Sequence, residues 1–219
     1  MQYLLKISNS QITAVILLSL FSLIGFILSP AISNDNFLEK NDIFLFEKIS
    51  NLHNFFPNYF TEFMIVVTNF GRELFWPIVI GLLFLFGNKI MRKKIIMVSV
   101  IIVIVILLTS ISKSIVERER PTVEGQKLIY QDNYSNSYPS GHTSVVTAGA
   151  VLAILVLQNS SKRLLISILL ITEAVLVSFS RIYVGLHYSL DVVGGAMLGI
   201  GVSLLLMNSN KIKKILKIP

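Results

Sequence analysis

Two histidines, His142 and His187, stand in short runs of phosphate-binding residue types within a very apolar chain. His187 is followed four residues later by Asp191. Positions i and i+4 share a helical face, so the carboxylate can accept from one imidazole nitrogen and leave the other with a free lone pair. The pair is therefore a candidate nucleophile. A His–Asp hydrogen bond that only anchors the start of a helix is the alternative for the pair taken alone.

The run Pro139–His142 combines a helix start with an ionisable side chain. Ser140 is a good N-cap, so the amides of Gly141, His142 and Thr143 would be unpaired in the first turn. Free amides and the positive end of the helix dipole attract an oxyanion, and Gly141 lets it come close. His142 could then donate a proton to a leaving group. A plain helix cap remains the alternative for these residues alone.

Positive charge comes from two further places in the chain. Lys113 and Arg120 lie seven residues apart, so a helix would carry both on one face, and Pro121 would end that helix. Glu117 falls on the same face, and an exposed ladder of ion pairs is therefore the alternative. Arg181 adds a cation at the end of a later apolar stretch.

The elements that must position these residues are membrane helices. The 219-residue chain is 53% hydrophobic and only 14% charged, which is too apolar for an ordinary soluble domain. A span takes about 20 apolar residues, and the sequence offers six stretches, at 11–29, 60–86, 94–112, 141–158, 163–181 and 189–207. We expect an all-α bundle of six transmembrane helices that forms a single domain over residues 1–219. The first stretch could instead be a cleaved signal peptide, and its removal would leave the remaining topology unchanged.

The charges of the connecting segments predict the orientation, because cytoplasmic loops keep Lys and Arg. One set of alternate connections and both ends are basic, with Lys6, Lys89, Arg92, Lys93, Lys94, Lys162, Arg163, Lys211, Lys213, Lys214 and Lys217. The other connections carry the acidic residues. Both termini are therefore expected in the cytoplasm, and all three motifs on the extracytoplasmic side of the cell membrane. The net charge of +7 is accounted for by these juxtamembrane clusters, so no nucleic-acid partner is expected.

Three other features remain open at this stage. Apolar residues recur at helical spacing from Leu38 to Phe56, which predicts a helix lying on the outer surface. Arg72 and Glu173 lie within apolar stretches, where charges usually find a partner. They either pair with each other, or shorter helices leave Arg72 in a loop. The polar loop 122–138 would cover the site and could read a head group, or it is simply solvated.

The order and spacing of the runs resemble the tripartite signature of the type 2 phosphatidic acid phosphatase and haloperoxidase superfamily. That signature is Lys, six residues, Arg-Pro; then Pro-Ser-Gly-His; then Ser-Arg, five residues, His, three residues, Asp. The matching segments are 113–121, 139–142 and 180–191, and all eleven fixed positions agree.

The resemblance implies a role for each matching residue. His187 would attack phosphorus to form a phosphohistidine, Asp191 would orient it, and His142 would protonate the leaving oxygen. The phosphoryl oxygens would be held by Lys113, Arg120, Ser140, Gly141 and Arg181. The family reaction needs no metal or other cofactor, and the sequence shows no cluster at metal-ligand spacing.

The expected activity is hydrolysis of a lipid phosphate or diphosphate ester at the outer membrane face. The resemblance favours a polyprenyl diphosphate or phosphatidylglycerophosphate as substrate. A lipid phosphotransferase is one alternative. A transporter or flippase of anionic lipids is another, in which the glycines of the last apolar stretch would allow movement.

Overall fold

The structure is a computed structural model that describes residues 8–32, 36–121, 136–157, 160–209, 212 and 214. The described residues contain no strand and form eight α-helices: α1 (Asn9–Ile27), α2 (Phe37–Ser50), α3 (Asn58–Phe70), α4 (Trp76–Phe86), α5 (Lys89–Val116), α6 (Gly141–Val156), α7 (Arg163–Tyr183) and α8 (Ser189–Met207). The all-α prediction is confirmed. Most of the polar loop 122–138, for which head-group recognition was one interpretation, lies outside the described residues.

Five helical segments are long and apolar enough to cross a membrane: Asn9–Ile27, Asn58–Phe86, Lys89–Val116, Arg163–Tyr183 and Ser189–Met207. They coincide with five of the six stretches read from the sequence. The remaining stretch forms α6, which has 16 residues and is shorter than a full crossing. Six transmembrane spans therefore stay a prediction, although all six stretches are helical.

Helix α6 lies at the centre of the bundle and contacts α5, α7 and α8. Its sequence is rich in Gly, Ala, Ser and Thr, and such small residues let helix backbones approach closely. Helix α8 contributes Gly195 and Gly199 to the same contact, where an added methyl group would overlap the carbonyl oxygens of Ser140 and Ser144. These glycines therefore allow close packing of α8 against α6. Close packing argues against the alternative in which they let a carrier helix move.

Helix α2 forms where the sequence predicts a surface helix, but a different face is buried. Asp42 and Phe46 are 2% and 3% exposed, whereas Leu38 and Leu45 of the predicted apolar stripe are 39% and 48% exposed. The reason is an ion pair of Asp42 inside the protein, described below. Leu38 and Leu45 are consequently left facing outward, whereas Leu52, near the other end of the stripe, is partly buried against the cluster that contains Tyr183.

Helices α3 and α4 form one apolar segment that is interrupted by a wide π-helical turn at Gly71–Phe75. Pro77 has no N–H to donate to the Glu73 carbonyl, which removes an α-helical hydrogen bond next to the turn. Neither alternative proposed for Arg72 is observed. Arg72 lies in this turn and pairs with Glu73 at 3.1 Å, and the carboxylate of Glu173 is buried close to Gly71.

Candidate active site

The first motif starts on α5 but leaves it sooner than the sequence predicts. Helix α5 ends at Val116, and Glu117 is left-handed with φ 52°, so Pro121 does not end the helix. The ladder that Glu117 would form with Lys113 and Arg120 requires a continuous helix and is therefore wrong. The residues after Val116 instead run into the site.

Lys113 and Arg120 both contact backbone carbonyls at the end of the bundle that carries the three motifs. The Lys113 ammonium donates to the carbonyl of Asn136, and the Asn136 side-chain amide donates back to the Lys113 carbonyl at 2.8 Å. Arg120 reaches the carbonyl of Leu186 at 3.5 Å, one residue before His187. The two cations thus border the segments that carry the second and third motifs.

The second motif forms a helix start, as its sequence predicts. Ser140 is fully buried and is the N-cap of α6, with its hydroxyl accepting from the Thr143 amide at 3.5 Å. The Ser140 amide donates to the Asp191 carbonyl at 2.9 Å, which ties the start of α6 to the start of α8. Gly141 and His142 occupy the first turn, and His142 is 6% exposed.

His187 lies in a tight turn between α7 and α8. The carbonyl of Arg181 accepts from the amides of Leu186 and His187 at 3.0 and 3.2 Å, and Gly185 has a positive φ of 85° that the turn requires. The sequence placed His187 at the start of the helix with Asp191, but α8 begins only at Ser189. Nδ1 of His187 still lies 3.4 Å from the Asp191 carboxylate.

Asp191 is fully buried and is held from several sides. Its carboxylate accepts from the Tyr188 amide at 2.9 Å, from the Ser137 hydroxyl, and from Nη1 of Arg118 at 2.7 Å. A carboxylate with so many donors has its orientation fixed. The imidazole of His187 is therefore presented to a rigid acceptor.

Arg118 is a site residue that the sequence did not assign. It is 3% exposed, and its second nitrogen, Nη2, lies 2.8 Å from the carboxylate of Asp42 on α2. Its guanidinium also lies over the ring of Tyr188, 4.1 Å from the centroid. Asp42 accepts in turn from the Leu190 amide at 2.9 Å. Only the fold brings Asp42 to Asp191, so no spacing rule would have found this connection.

Arg181 is placed by a second residue that the sequence did not identify. Nη1 of Arg181 donates at 3.0 Å to the hydroxyl of Thr68, which is fully buried on α3. The charges of Arg181, Arg72 and Arg120 all lie within electrostatic range of His142, and that of Lys113 lies within range of His187. The structure thus gathers cations and both histidines at one end of the bundle.

The protonation state of His187 follows from its surroundings. The side chain is 1% exposed, and burial lowers the pKa of His187 to about 3. The imidazole is therefore neutral near pH 7. With Nδ1 facing Asp191, the neutral ring can carry a lone pair on Nε2, as a nucleophile requires.

A cavity of about 530 Å³ opens beside the site. At its polar end lie Arg72, Lys113 and Gly141, and its remaining length runs between α4 and α5 along apolar side chains that include Trp76, Ile80, Ile102, Ile106 and Val145. The described residues contain no group of three or more His, Cys, Asp or Glu side chains that could hold a metal ion.

Comparison with known sequences identifies a family. The profile of the PAP2 superfamily matches residues 94–214. An undecaprenyl-diphosphatase of Sulfolobus acidocaldarius is 38% identical over 157 residues, which cover 69% of this chain and 73% of that protein. Phosphatidylglycerophosphatase B of Bacillus subtilis is 32% identical over 99 residues, which cover 43% of this chain and 47% of that protein.

Solved structures agree on the fold. A transmembrane PAP2-type phosphatidylglycerolphosphate phosphatase from Bacillus subtilis superposes with a TM-score of 0.70 at 23% identity, covering 93% of this chain and 95% of the other. LpxE of Aquifex aeolicus superposes with a TM-score of 0.60 at 22% identity, covering 76% and 94% of the two chains.

Proposed function

Because the chain belongs to the PAP2 superfamily and is an integral membrane lipid phosphatase, we propose that it hydrolyses a lipid phosphate or diphosphate ester at the outer membrane face. The proposed substrates are a polyprenyl diphosphate, converted to the monophosphate, or phosphatidylglycerophosphate, converted to phosphatidylglycerol. Catalysis uses a phosphohistidine and no metal. The single domain comprises the whole of residues 1–219.

The observation that carries the proposal is the state of His187. It is buried, neutral near pH 7 and held through Nδ1 beside a fixed carboxylate. In the proposed reaction Nε2 attacks phosphorus, the bond from phosphorus to the lipid oxygen breaks, and a phosphohistidine forms. Asp191 stabilises the positive imidazole that develops, and Arg118 keeps Asp191 in place.

The surrounding cations match the charge of the reaction. A transferred phosphoryl group spreads negative charge over three oxygens, and most of its catalysis comes from positioning and charge stabilisation. Lys113, Arg120 and Arg181 supply the positive charge in this proposal. Ser140 and the amide of Gly141 bind the same oxygens at the start of α6, where the helix dipole adds to the attraction.

His142 completes the cycle as acid and then as base. It protonates the departing lipid oxygen, and it later removes a proton from the water that attacks the phosphohistidine. Phosphate then leaves, and both histidines return to their starting states. The negative charge of the bound substrate favours the protonated form of His142 that the first of these steps requires.

The cavity between α4 and α5 supports a lipid rather than a soluble substrate. Its apolar length suits an acyl or isoprenoid chain, and its polar end lies at Gly141, next to the proposed acid. The lipid is the leaving group of the reaction. A chain in this cavity would therefore bring its ester oxygen to His142.

The orientation also belongs to the proposal. The basic connections favour a cytoplasmic position for both termini and an extracytoplasmic position for the site. The chain has no cysteine, so single cysteines can report each side. Cysteine at Glu39 should react with a membrane-impermeant maleimide on intact cells, and cysteine at Ser160 should react only after lysis; the reverse pattern would refute the orientation.

The proposal is tested by measuring phosphate release from purified protein in detergent with EDTA. The substrates are a polyprenyl diphosphate, phosphatidylglycerophosphate and phosphatidate. Release that is lost in His187→Ala and kept in His53→Ala would support the proposal, since the His53 ring is hydrogen-bonded to the Ser50 carbonyl of its own turn. No release from any substrate, or full release by His187→Ala, would contradict it.

A further inference from the structure

Arg72 is a cation at the site that the family signature does not include. It lies in the π-helical turn between α3 and α4, and Nη1 of Arg72 would be 3.7 Å from a methyl group built on Gly141. The guanidinium therefore lies beside the first turn of α6. Its side chain is 37% exposed, so a ligand can reach it.

The cavity defines on which side of the substrate Arg72 lies. Arg72 lines the polar end of the cavity, whereas Arg120 and Arg181 are not among its described lining residues. In the proposed function the lipid chain occupies the cavity, and the lipid is the leaving group. Arg72 therefore stands on the leaving-group side of the phosphorus under attack, next to His142.

A cation at this position would interact differently with lipid monophosphates and with lipid diphosphates. In a lipid monophosphate the leaving oxygen is bonded to carbon, so no second phosphoryl group lies at the mouth of the cavity. In a lipid diphosphate that position holds the second phosphoryl group. Its negative charge increases as the bond breaks, because the electron pair of the P–O bond stays on the former bridging oxygen.

Arg72 is paired with the neighbouring residue of its own turn. Its guanidinium lies 3.1 Å from the carboxylate of Glu73, whose side chain is 56% exposed. A phosphoryl group at this place would compete with Glu73 for the same guanidinium. Arginine binds phosphate oxygens with two parallel hydrogen bonds, which a phosphoryl group at this place would allow.

We infer that Arg72 binds the second phosphoryl group of a lipid diphosphate and so makes the enzyme prefer diphosphates to monophosphates. The inference rests on the proposed function. His187 bonds to the terminal phosphorus as the bond from that phosphorus to the bridging oxygen breaks. Arg72 pairs with the phosphoryl group of the departing lipid monophosphate, and His142 protonates the former bridging oxygen. Water then releases the terminal phosphate from His187.

The test compares farnesyl diphosphate with farnesyl monophosphate, which share one chain, at initial rates with the purified full-length protein. Arg72→Gln should lower kcat/KM for the diphosphate by about 10- to 100-fold, the range of one hydrogen bond to a charged group. It should change kcat/KM for the monophosphate far less. Arg72→Lys should recover part of the loss, and Glu73→Gln should cause none.

A second measurement does not require the monophosphate to be a substrate. Inorganic pyrophosphate should inhibit Arg72→Gln more weakly than the parent enzyme, while inhibition by orthophosphate should be the same. Equal losses for both substrates, equal changes for both inhibitors, or no change in either would overturn the role of Arg72. Parent enzyme that releases no phosphate from any lipid would instead overturn the proposed function.

Discussion

Arg118→Met is the substitution that tests the buried charge network most directly. Arg118 joins two carboxylates, with its nitrogens 2.7 Å from Asp191 and 2.8 Å from Asp42. Both carboxylates are buried, at 0% and 2% exposure. Methionine occupies part of the same volume without charge, so the variant would leave two anions inside the protein with no cation between them.

The expected loss in the free energy of unfolding is large compared with the stability of a typical protein. Removing one partner of a buried ion pair costs about 3–5 kcal/mol, because the remaining charge is left without compensation. Folded proteins are stable by about 5–15 kcal/mol. Arg118→Met should therefore unfold at a clearly lower temperature in detergent, and Asp42→Asn should relieve part of the loss by removing one of the two anions.

A double-mutant cycle measures this relief. The free energy of unfolding of Arg118→Met/Asp42→Asn should exceed the additive expectation by about 0.5–3 kcal/mol, the range for residues in one network. Unchanged stability of Arg118→Met, or additive single effects, would refute the reasoning. If Arg118→Met folds, its acid limb of kcat/KM should move to higher pH, because Asp191 without Arg118 would attract a proton to His187 more strongly.

The remaining predictions concern the nucleophile, the pH range and the packing of α8. His187→Ala should lower kcat by about 10⁴- to 10⁶-fold and abolish trapping of a phosphoenzyme by acid quench; a labelled phosphoenzyme in that variant would assign the nucleophile elsewhere. The acid limb of kcat/KM should lie well below pH 6.5, because burial lowers the pKa of His187 to about 3. The unfolded chain binds this proton below about pH 6.5, so stability from His187 is present above that pH and is lost as pH falls toward 3. Stability that stays constant between pH 6 and 4 would contradict this. Gly199→Ala should cost about 1–3 kcal/mol, because the methyl group meets the backbone of α6. Gly81→Ala is the matched control, since its methyl group meets nothing within 4 Å.

Much of the bundle is readable from the sequence, since the bilayer requires long apolar helices. All six apolar stretches are helical, with ends within a few residues of the predicted ones apart from α5, and the N-cap at Ser140 is confirmed. These features depend on local composition or on contacts three or four residues apart. Local patterns of this kind predict helices and helix caps without any knowledge of distant contacts.

The errors arise where distant residues decide the local structure. Helix α5 stops at Val116 although the helical spacing of Lys113 and Arg120 continues, and Arg118 thereby turns inward to Asp191. The buried face of α2 follows from that ion pair and not from its apolar stripe. In each case the local structure depends on a residue that is distant in the sequence. The periodicity of a single segment gives no information about such a residue.

The π-helical turn at Gly71–Phe75 divides one apolar helical segment into two parts that pack against different helices. Helix α3 packs against α7, and α4 packs against α5. A π turn holds about one residue more than an α turn, and one residue corresponds to about 100° of rotation. Deleting one residue here would therefore rotate α4 relative to α3, and Trp76 would lose its position against Gly149. The number of residues in this turn, more than their identity, therefore sets the rotation of α4 relative to α3.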